Sequence, residues 1–345
     1  MRIVVTGASG NVGTALLRTL DGEEVVGLAR RPPANPLVRW VAADLGTTSA
    51  SVLREVFADA DAVVHLAWAI SPAADDPPMT RTNEVGTKAV LDAVAATGVP
   101  RLVVASSIAA YQPAPRWTPI GEDWAIGGIA ASAYSQSKVG LERQLDEFAA
   151  ANPSVALARL RPCGIAQREA AGEFARWLFS PLLPLGVLGR VPLPLWSGLR
   201  LQLVHADDVA EAIRLVLARE ATGAFNLASP EVLDAPRLAE LIGGFRVPVP
   251  RSVLQQVARL SWLGGLQPLH PGWLALADQA PLADISRARD VLSWEPRHSS
   301  AETLRELLDG WAERAGNANP PLAPPPSGMR SRLTGLRFGR PIRQG

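Results

Sequence analysis

The sequence predicts an α/β fold, a doubly wound parallel sheet with a smaller C-terminal region, and three observations carry that expectation. Short apolar runs alternate with helical patterns through the first half of the 345-residue chain. Glycines crowd the exit of the first run, in "TGASGNVG", and the alternation stops near Pro162. Strands separated by helices imply right-handed crossovers, which gather the carboxyl ends of the strands along one edge of the sheet.

"RIVVTG" is the first strand, a helix is expected from about Asn11 to Leu20, and "EVVGLAR" and "VRWVAADL" are the second and third strands. "DAVVHLAW" is the fourth, a helix follows around Asn83 to Ala96, and "RLVVASS" is the fifth. A helix around Ser132 to Ala150 and the strand "VALARLRP" complete a Rossmann-like layout. Beyond it, "WLFSPLLPLGVLGRVPLPLW" is rich in Pro, Leu and Trp without a clean period, and reads as irregular, buried structure over a pocket. "LQLVHADDVAEAIRLVLA" reads as a strand running into a helix, and "AFNLAS" as one more short strand. The expected division is a Rossmann domain at 1–161, its sheet completed by segments near 201–228, a mainly substrate-binding region at 162–315, and a disordered tail at 316–345. That tail carries a proline run, five arginines and no acid.

Composition narrows the class. A net charge of +1 gives no electrostatic case for nucleic acid or an anionic membrane as the main partner, so neither is expected. The first apolar run is too short for a secretory signal, and no uninterrupted run of 18 apolar residues occurs. The single cysteine, Cys163, has no internal disulfide partner and fits a reducing compartment, hence a cytoplasmic location; it reads as a small buried residue. Lys88 and Lys138 are the only lysines in an arginine-rich chain, which marks each as a position to inspect.

In "TGASGNVG" the glycines at 7, 10 and 13 stand between a strand and a helix. That placement allows a sharp turn, close approach of the backbone to a pyrophosphate, and a helix packed tightly on the strand. Dinucleotide binding is therefore expected of Gly7, Ser9, Gly10, Asn11, Val12 and Gly13. The second strand ends in "LARRPP", with Arg30 and Arg31 where an acid would receive a ribose 2′-hydroxyl, so NADP is preferred and NAD is the alternative. Asp44 and Leu45, ending the third strand, stand where the adenine would lie, although Asp44 also suits a helix cap.

Tyr134 and Lys138 are four apart in a helical pattern and share a face. A nearby ammonium favours the phenolate, which makes proton exchange with a substrate oxygen feasible near neutrality. The hydroxyl that would complete the set comes from Ser106 or Ser107, both at the carboxyl edge of the fifth strand. Either serine also suits a cap.

Taken together, "TGASGNVG", "ADL", "VVHLAW", "TNEVGT", "VVASSIAAY", "YSQSK", "RLRP", "VHADDVA" and "FNLAS" resemble, in order and over roughly the first 230 residues, the extended short-chain dehydrogenase/reductase superfamily, of the NAD(P)-dependent epimerase/dehydratase type. The resemblance implies Ser107 as the catalytic serine, four residues before Tyr111, with Tyr134 and Lys138 as catalytic partners that also touch the cofactor. It implies that Leu66 and Ala67, after His65, form a turn beside the cofactor, and that Asn83 begins a helix supporting the site. His65 itself reads as a histidine satisfied in a turn, and Asp207 and Asp208 as acids at a helix start. A homodimer is compatible with the resemblance.

The match weakens at the substrate side. Family members acting on nucleotide sugars usually carry an Asn shortly after the sixth strand and an Arg before the "VHADD"-type motif; here stand "RLRPCGIAQ" and Leu201, with Arg200 one place off. Gln112 follows Tyr111 where the family usually has Gly, and the segment from Phe174 to Leu199 is apolar apart from Arg176, Arg190 and a few others. The expected function is oxidoreduction of a carbonyl or hydroxyl on a small, rather apolar molecule. Tyr134 would exchange the proton, Ser107 would hydrogen-bond the oxygen, and Lys138 would hold the ribose. A nucleotide-sugar epimerase or dehydratase using transient oxidation, a non-catalytic NADP(H) sensor and a cofactor-free scaffold are the rivals.

Overall fold

The computed structural model describes residues 1–34, 38–70, 77–178, 192–267 and 269–324. Seven strands form one parallel sheet: β1 (Arg2–Thr6), β2 (Glu24–Ala29), β3 (Arg39–Ala42), β4 (Ala62–His65), β5 (Arg101–Ala105), β6 (Ala156–Pro162) and β7 (Gly223–Leu227). Their spatial order is β7-β6-β5-β4-β1-β2-β3. The order reverses at β1, so the crevice between the ends of β1 and β4 is the switch point at which such sheets receive ligands.

The helices used below are α1 (Asn11–Leu17), α2 (Ala50–Phe57), α3 (Thr87–Thr97), α4 (Ala133–Ala151), α5 (Ala206–Arg219), α6 (Arg251–Leu263), α7 (Gly272–Gln279) and α8 (Ser300–Glu313). One core cluster packs α1 and α5 on one face of the sheet through Val12, Ala15, Leu16, Val209 and Ile213. A second packs α2, α3 and α4 on the other through Leu53, Phe57, Val90, Val94, Leu141 and Leu145. Strands buried on both faces explain why β1 and β4 read as continuous apolar runs rather than alternating ones.

The expected strands and helices are present, but of the segments near 201–228 only Gly223–Leu227 joins the large sheet, Leu203–His205 pairing instead with Gly164–Ala166, and two further differences are local. The first helix stops at Leu17, short of Leu20, and the helix expected from Asn83 begins as a π-helical stretch, Arg81–Gly86, before α3. Beyond β6 the chain builds small two-stranded pairs, such as Pro192–Leu195 alongside Phe245–Pro248. Most of the apolar segment read as a pocket cover, residues 179–191 with Arg190, lies outside the described residues.

The first residues of the tail expected from residue 316 dock on the fold. Asn319 Nδ2 donates to Thr14 Oγ1 at 2.8 Å, and Leu322, in the 3-10 turn Pro320–Leu322, is fully buried. A single leucine at the right register was enough to anchor a proline-rich stretch. Residues 325–345 lie outside the described residues.

Candidate active site

Gly7 adopts φ +72°, in the left-handed region, and a Cβ there would stand 2.7 Å from the backbone nitrogen of Ala67. A Cβ on Gly13 would stand 2.4 Å from the Gly7 carbonyl oxygen. Glycine at these positions lets the loop after β1 touch the turn after β4 and lets α1 press onto the loop. Ser9 and Val12 are buried. Asn11 is committed within the protein: its Nδ2 donates to the Ile165 carbonyl at 3.1 Å, and its Oδ1 accepts from Gln167 Nε2 at 2.7 Å.

Arg30 and Arg31 are exposed at the end of β2 and form no ion pair among the described residues. Asp44 is exposed and accepts from the backbone nitrogen of Gly46 at 3.0 Å, closing a turn, whereas the N-cap of α2 is Ser49. Leu45 is buried against Gly86.

The turn Leu66–Ala67 leads into Trp68, whose ring lies 3.6 Å from Lys138 Nζ. Asn83 clamps the next residue from both sides, accepting from Ala69 N at 2.8 Å and donating to Ala69 O at 2.9 Å. His65 is buried, with Nδ1 2.7 Å from Thr6 Oγ1 and Nε2 3.0 Å from Thr87 Oγ1. Burial, reinforced by the Lys138 charge, pushes its pKa down to about 3, so the ring is neutral and structural. Asp208 is likewise structural, accepting from Arg297 N, His298 N and His298 Nδ1 ahead of α8.

The two serines separate cleanly. Ser106 Oγ is taken up by Glu142, donating to its Oε1 at 2.6 Å. Ser107 Oγ accepts from Ala109 N at 3.1 Å, donates to the Pro162 carbonyl at 3.4 Å and interacts with the Tyr134 phenol, whose pKa it lowers. Helix α4 holds the rest. Ser132 caps it by accepting from Ser135 N, and Lys138 Nζ, one turn on from Tyr134, donates to the Ala105 carbonyl at 2.9 Å.

Burial raises the Tyr134 pKa, and the Ser107 hydrogen bond only partly opposes it. The sequence suggested a phenol lowered by Lys138; burial dominates instead, and Ser107 rather than the lysine is what opposes it. Lys138 itself is pushed down to about 7 by burial, with the Glu142 carboxylate pulling the other way.

Sequence reasoning missed the support beneath these groups. Arg161 donates to both Glu142 oxygens at 2.8 and 2.9 Å and to Tyr111 Oη at 2.7 Å, and Tyr111 donates to Asn226 Oδ1 at 2.8 Å. Glu142 lies one turn after Lys138 on the same face, a spacing that was readable. Trp273, on α7, stacks on Tyr134 with ring centroids 5.3 Å apart, and no local signal links it to a tyrosine so far back in the chain. Cys163 is buried, and desolvation holds its thiol well above the usual range.

A nucleotide cradle at the switch point of a parallel sheet, beside a Ser-Tyr-Lys set, defines a class of dinucleotide-binding protein. Residues 3–228 match the NAD dependent epimerase/dehydratase family, and the chain belongs to it. An uncharacterised protein of Mycobacterium tuberculosis is 30% identical over 314 residues; the match covers 89% of this chain but only 30% of that longer protein. The dTDP-6-deoxy-L-talose 4-dehydrogenase (NAD(P)(+)) of Kitasatospora kifunensis is 27% identical, with 89% and 94% covered. In fold, the chain is similar to the dTDP-glucose 4,6-dehydratase of Streptomyces venezuelae, solved with NAD bound, at TM-score 0.69 and 21% identity over 91% of this chain and 97% of that one. Among the described residues no helix is long and apolar enough to cross a membrane.

Proposed function

We propose that the protein is a cytoplasmic NAD(P)-dependent oxidoreductase that interconverts a carbonyl and a hydroxyl on a small, rather apolar substrate, with NADP preferred. One observation carries the proposal: a continuous path runs from Gly7 to Ala67, Trp68 and Lys138 and, one helical turn back, to Tyr134 and Ser107. It sets a cradle that a Cβ would fill beside a proton donor.

The residues fit the dinucleotide, with the loop 7–13 for the pyrophosphate and Arg30 and Arg31 for a 2′-phosphate. When bound, the nicotinamide supplies or accepts the hydride. In the reducing direction Tyr134 donates its phenolic proton to the substrate oxygen, and in the oxidising direction it takes that proton back. Ser107 hydrogen-bonds the same oxygen. Lys138, held by the Ala105 carbonyl, is placed to bind ribose hydroxyls and, when protonated, to favour the phenolate that remains. Trp273 against Tyr134 and Trp68 beside Lys138 make the surroundings apolar, which supports a substrate of low polarity.

The test is a screen of carbonyl compounds with NADPH, followed by nucleotide absorbance, with NADPH and NADH titrated in parallel. NADPH should bind more tightly, and replacing Arg30 and Arg31 together should narrow the gap. Equal affinities in the original would remove the NADP preference. Binding without turnover of any compound would favour a sensing role.

A second reading, a nucleotide-sugar epimerase or dehydratase, is favoured by a specific cluster. Arg116 and Arg251 both pair with the carboxylate of Asp278, and Arg200 donates to its carbonyl at 3.1 Å. Three guanidinium groups around one carboxylate leave positive charge for an anionic substrate group. Conversion of a UDP- or dTDP-sugar without net cofactor consumption would decide for it.

A further inference from the structure

Helix α6 sits at the rim of the C-terminal region, and none of its residues is fully buried. Its inner side holds on through Leu254, which packs against the cluster of Trp196, Leu199 and Ala235, and through Trp262, edge-on to His270. The outer side is also apolar. Val253, Val257 and Leu260 repeat at i, i+4 and i+7, which places them on one stripe, and they are 48%, 57% and 67% exposed. Leu263, at 61%, extends it. Among the described residues nothing covers this outer side of a helix that is apolar on both sides. Exposed aliphatic side chains in a contiguous row, rather than scattered singly, mark an interaction site.

The charges around the stripe say what kind of cover fits. From Leu241 to Ala277 the chain has Arg246, Arg251 and Arg259 and not one Asp or Glu. Arg251 is committed to Asp278, whereas Arg259 is exposed beside the stripe and makes no ion pair among the described residues. The near-neutral net charge of the whole chain hides this local separation. A two-fold contact of α6 with its copy would set this segment against itself, and residues 241–277 hold no acid to receive Arg259. A surface that is apolar in depth and anionic at its border satisfies both features at once.

We propose that the outer face of α6 binds an anionic lipid surface, with Val253, Val257, Leu260 and Leu263 entering the headgroup boundary and Arg259 meeting the phosphates. The helix lies in the plane of the surface and does not cross it. This association is independent of the catalytic chemistry, and its test needs neither cofactor nor substrate.

The full chain is sedimented with phosphatidylglycerol vesicles and with phosphatidylcholine vesicles, and its mass in lipid-free solution is measured by analytical ultracentrifugation. It should bind phosphatidylglycerol at least about tenfold more tightly than phosphatidylcholine. Leu260→Asp should weaken that binding at least about tenfold, and Arg259→Ala about fivefold, with melting temperatures unchanged because both side chains are exposed. Val257→Asp serves in place of Leu260→Asp if that variant melts early. The proposal is overturned if the original does not sediment with phosphatidylglycerol, if it shows no preference between the lipids, or if the aspartate variants bind as well as the original. A lipid-free dimer that Leu260→Asp dissociates would also overturn it and would assign the face to a second copy.

Discussion

Lys138 is nearly sealed from solvent, and its low pKa links the proposed ribose-binding group to stability. The unfolded chain holds a lysine proton up to roughly pH 10.4, whereas the folded chain releases it near 7. Between those values the unfolded state binds more protons, so this group's destabilisation is complete below about pH 7 and fades as pH rises toward 10. Lys138→Met should therefore melt higher than the original at pH 6–7, with the advantage shrinking toward pH 10, while cofactor affinity and turnover both fall. Thermal melts across that range check the sign. Tyr134→Phe should keep cofactor binding and lose at least about a hundredfold in turnover, the usual scale for a general acid. The serines should divide along their hydrogen bonds. Ser107→Ala should slow turnover and lower stability by about 0.5–2 kcal/mol by uncapping the buried Ala109 nitrogen, whereas Ser106→Ala should lower stability by about 1–3 kcal/mol by leaving the buried Glu142 short of a donor while turnover persists. If Ser106→Ala is the one that abolishes turnover, the assignment within the pair is wrong.

At the scale of the element, the glycine loop distinguishes folding from binding. Gly7→Ala meets both a left-handed backbone and the Ala67 main chain, and Gly13→Ala meets the Gly7 carbonyl, so each should destabilise the fold, by about 1–3 kcal/mol or more. A Cβ on Gly10 would stand 3.2 Å from the Gly7 carbonyl, a milder conflict than at Gly7 or Gly13, so Gly10→Ala should lower melting less than either of those changes. If the pyrophosphate approaches that point, the same change should still weaken NADPH binding, and calorimetric titration of a normally folded Gly10→Ala reads it directly. The strands and helices around this loop were readable because burial on both faces of a parallel sheet writes long apolar runs, and because Tyr134, Lys138 and Glu142 repeat at helical spacing. The π-helical start at Arg81–Gly86 was not readable. It is set by tertiary contacts, with Gly86 pressed on Leu45 and Asn83 clamping Ala69, which leave no mark on local periodicity. Trp273 was hidden for the same reason, since a stacking partner in an aperiodic region is fixed only by the packing of α7 on α4.

Across the whole molecule, residues 317–322 return to the helix that follows the first strand. Composition alone marks everything after residue 316 as a tail, because proline, arginine and the lack of acids describe a segment that cannot build a core of its own. Composition does not register that such a segment can lend one side chain to a core already built. Leu322 is fully buried, the Asn317 nitrogen donates to the Leu322 carbonyl at 3.0 Å, and Asn319 bonds Thr14 on α1, the helix that follows the glycine loop. Truncation should therefore depend on where the cut falls. Ending the chain after Asn319 removes Leu322 and should lower stability by about 2–5 kcal/mol, the range for losing a large buried aliphatic side chain. Ending it after Pro324 retains these contacts and should leave melting unchanged. Leu322→Ala in the full chain should reproduce most of the loss, which separates the leucine's packing from the rest of the deleted segment. Because losing Leu322 leaves Asn319, which bonds Thr14 on α1, at a frayed end, the chain ended after Asn319 should also bind NADPH less tightly than the chain ended after Pro324. Identical melting curves for the two truncations and the full chain would show that the docking of residues 316–324 contributes nothing to the fold.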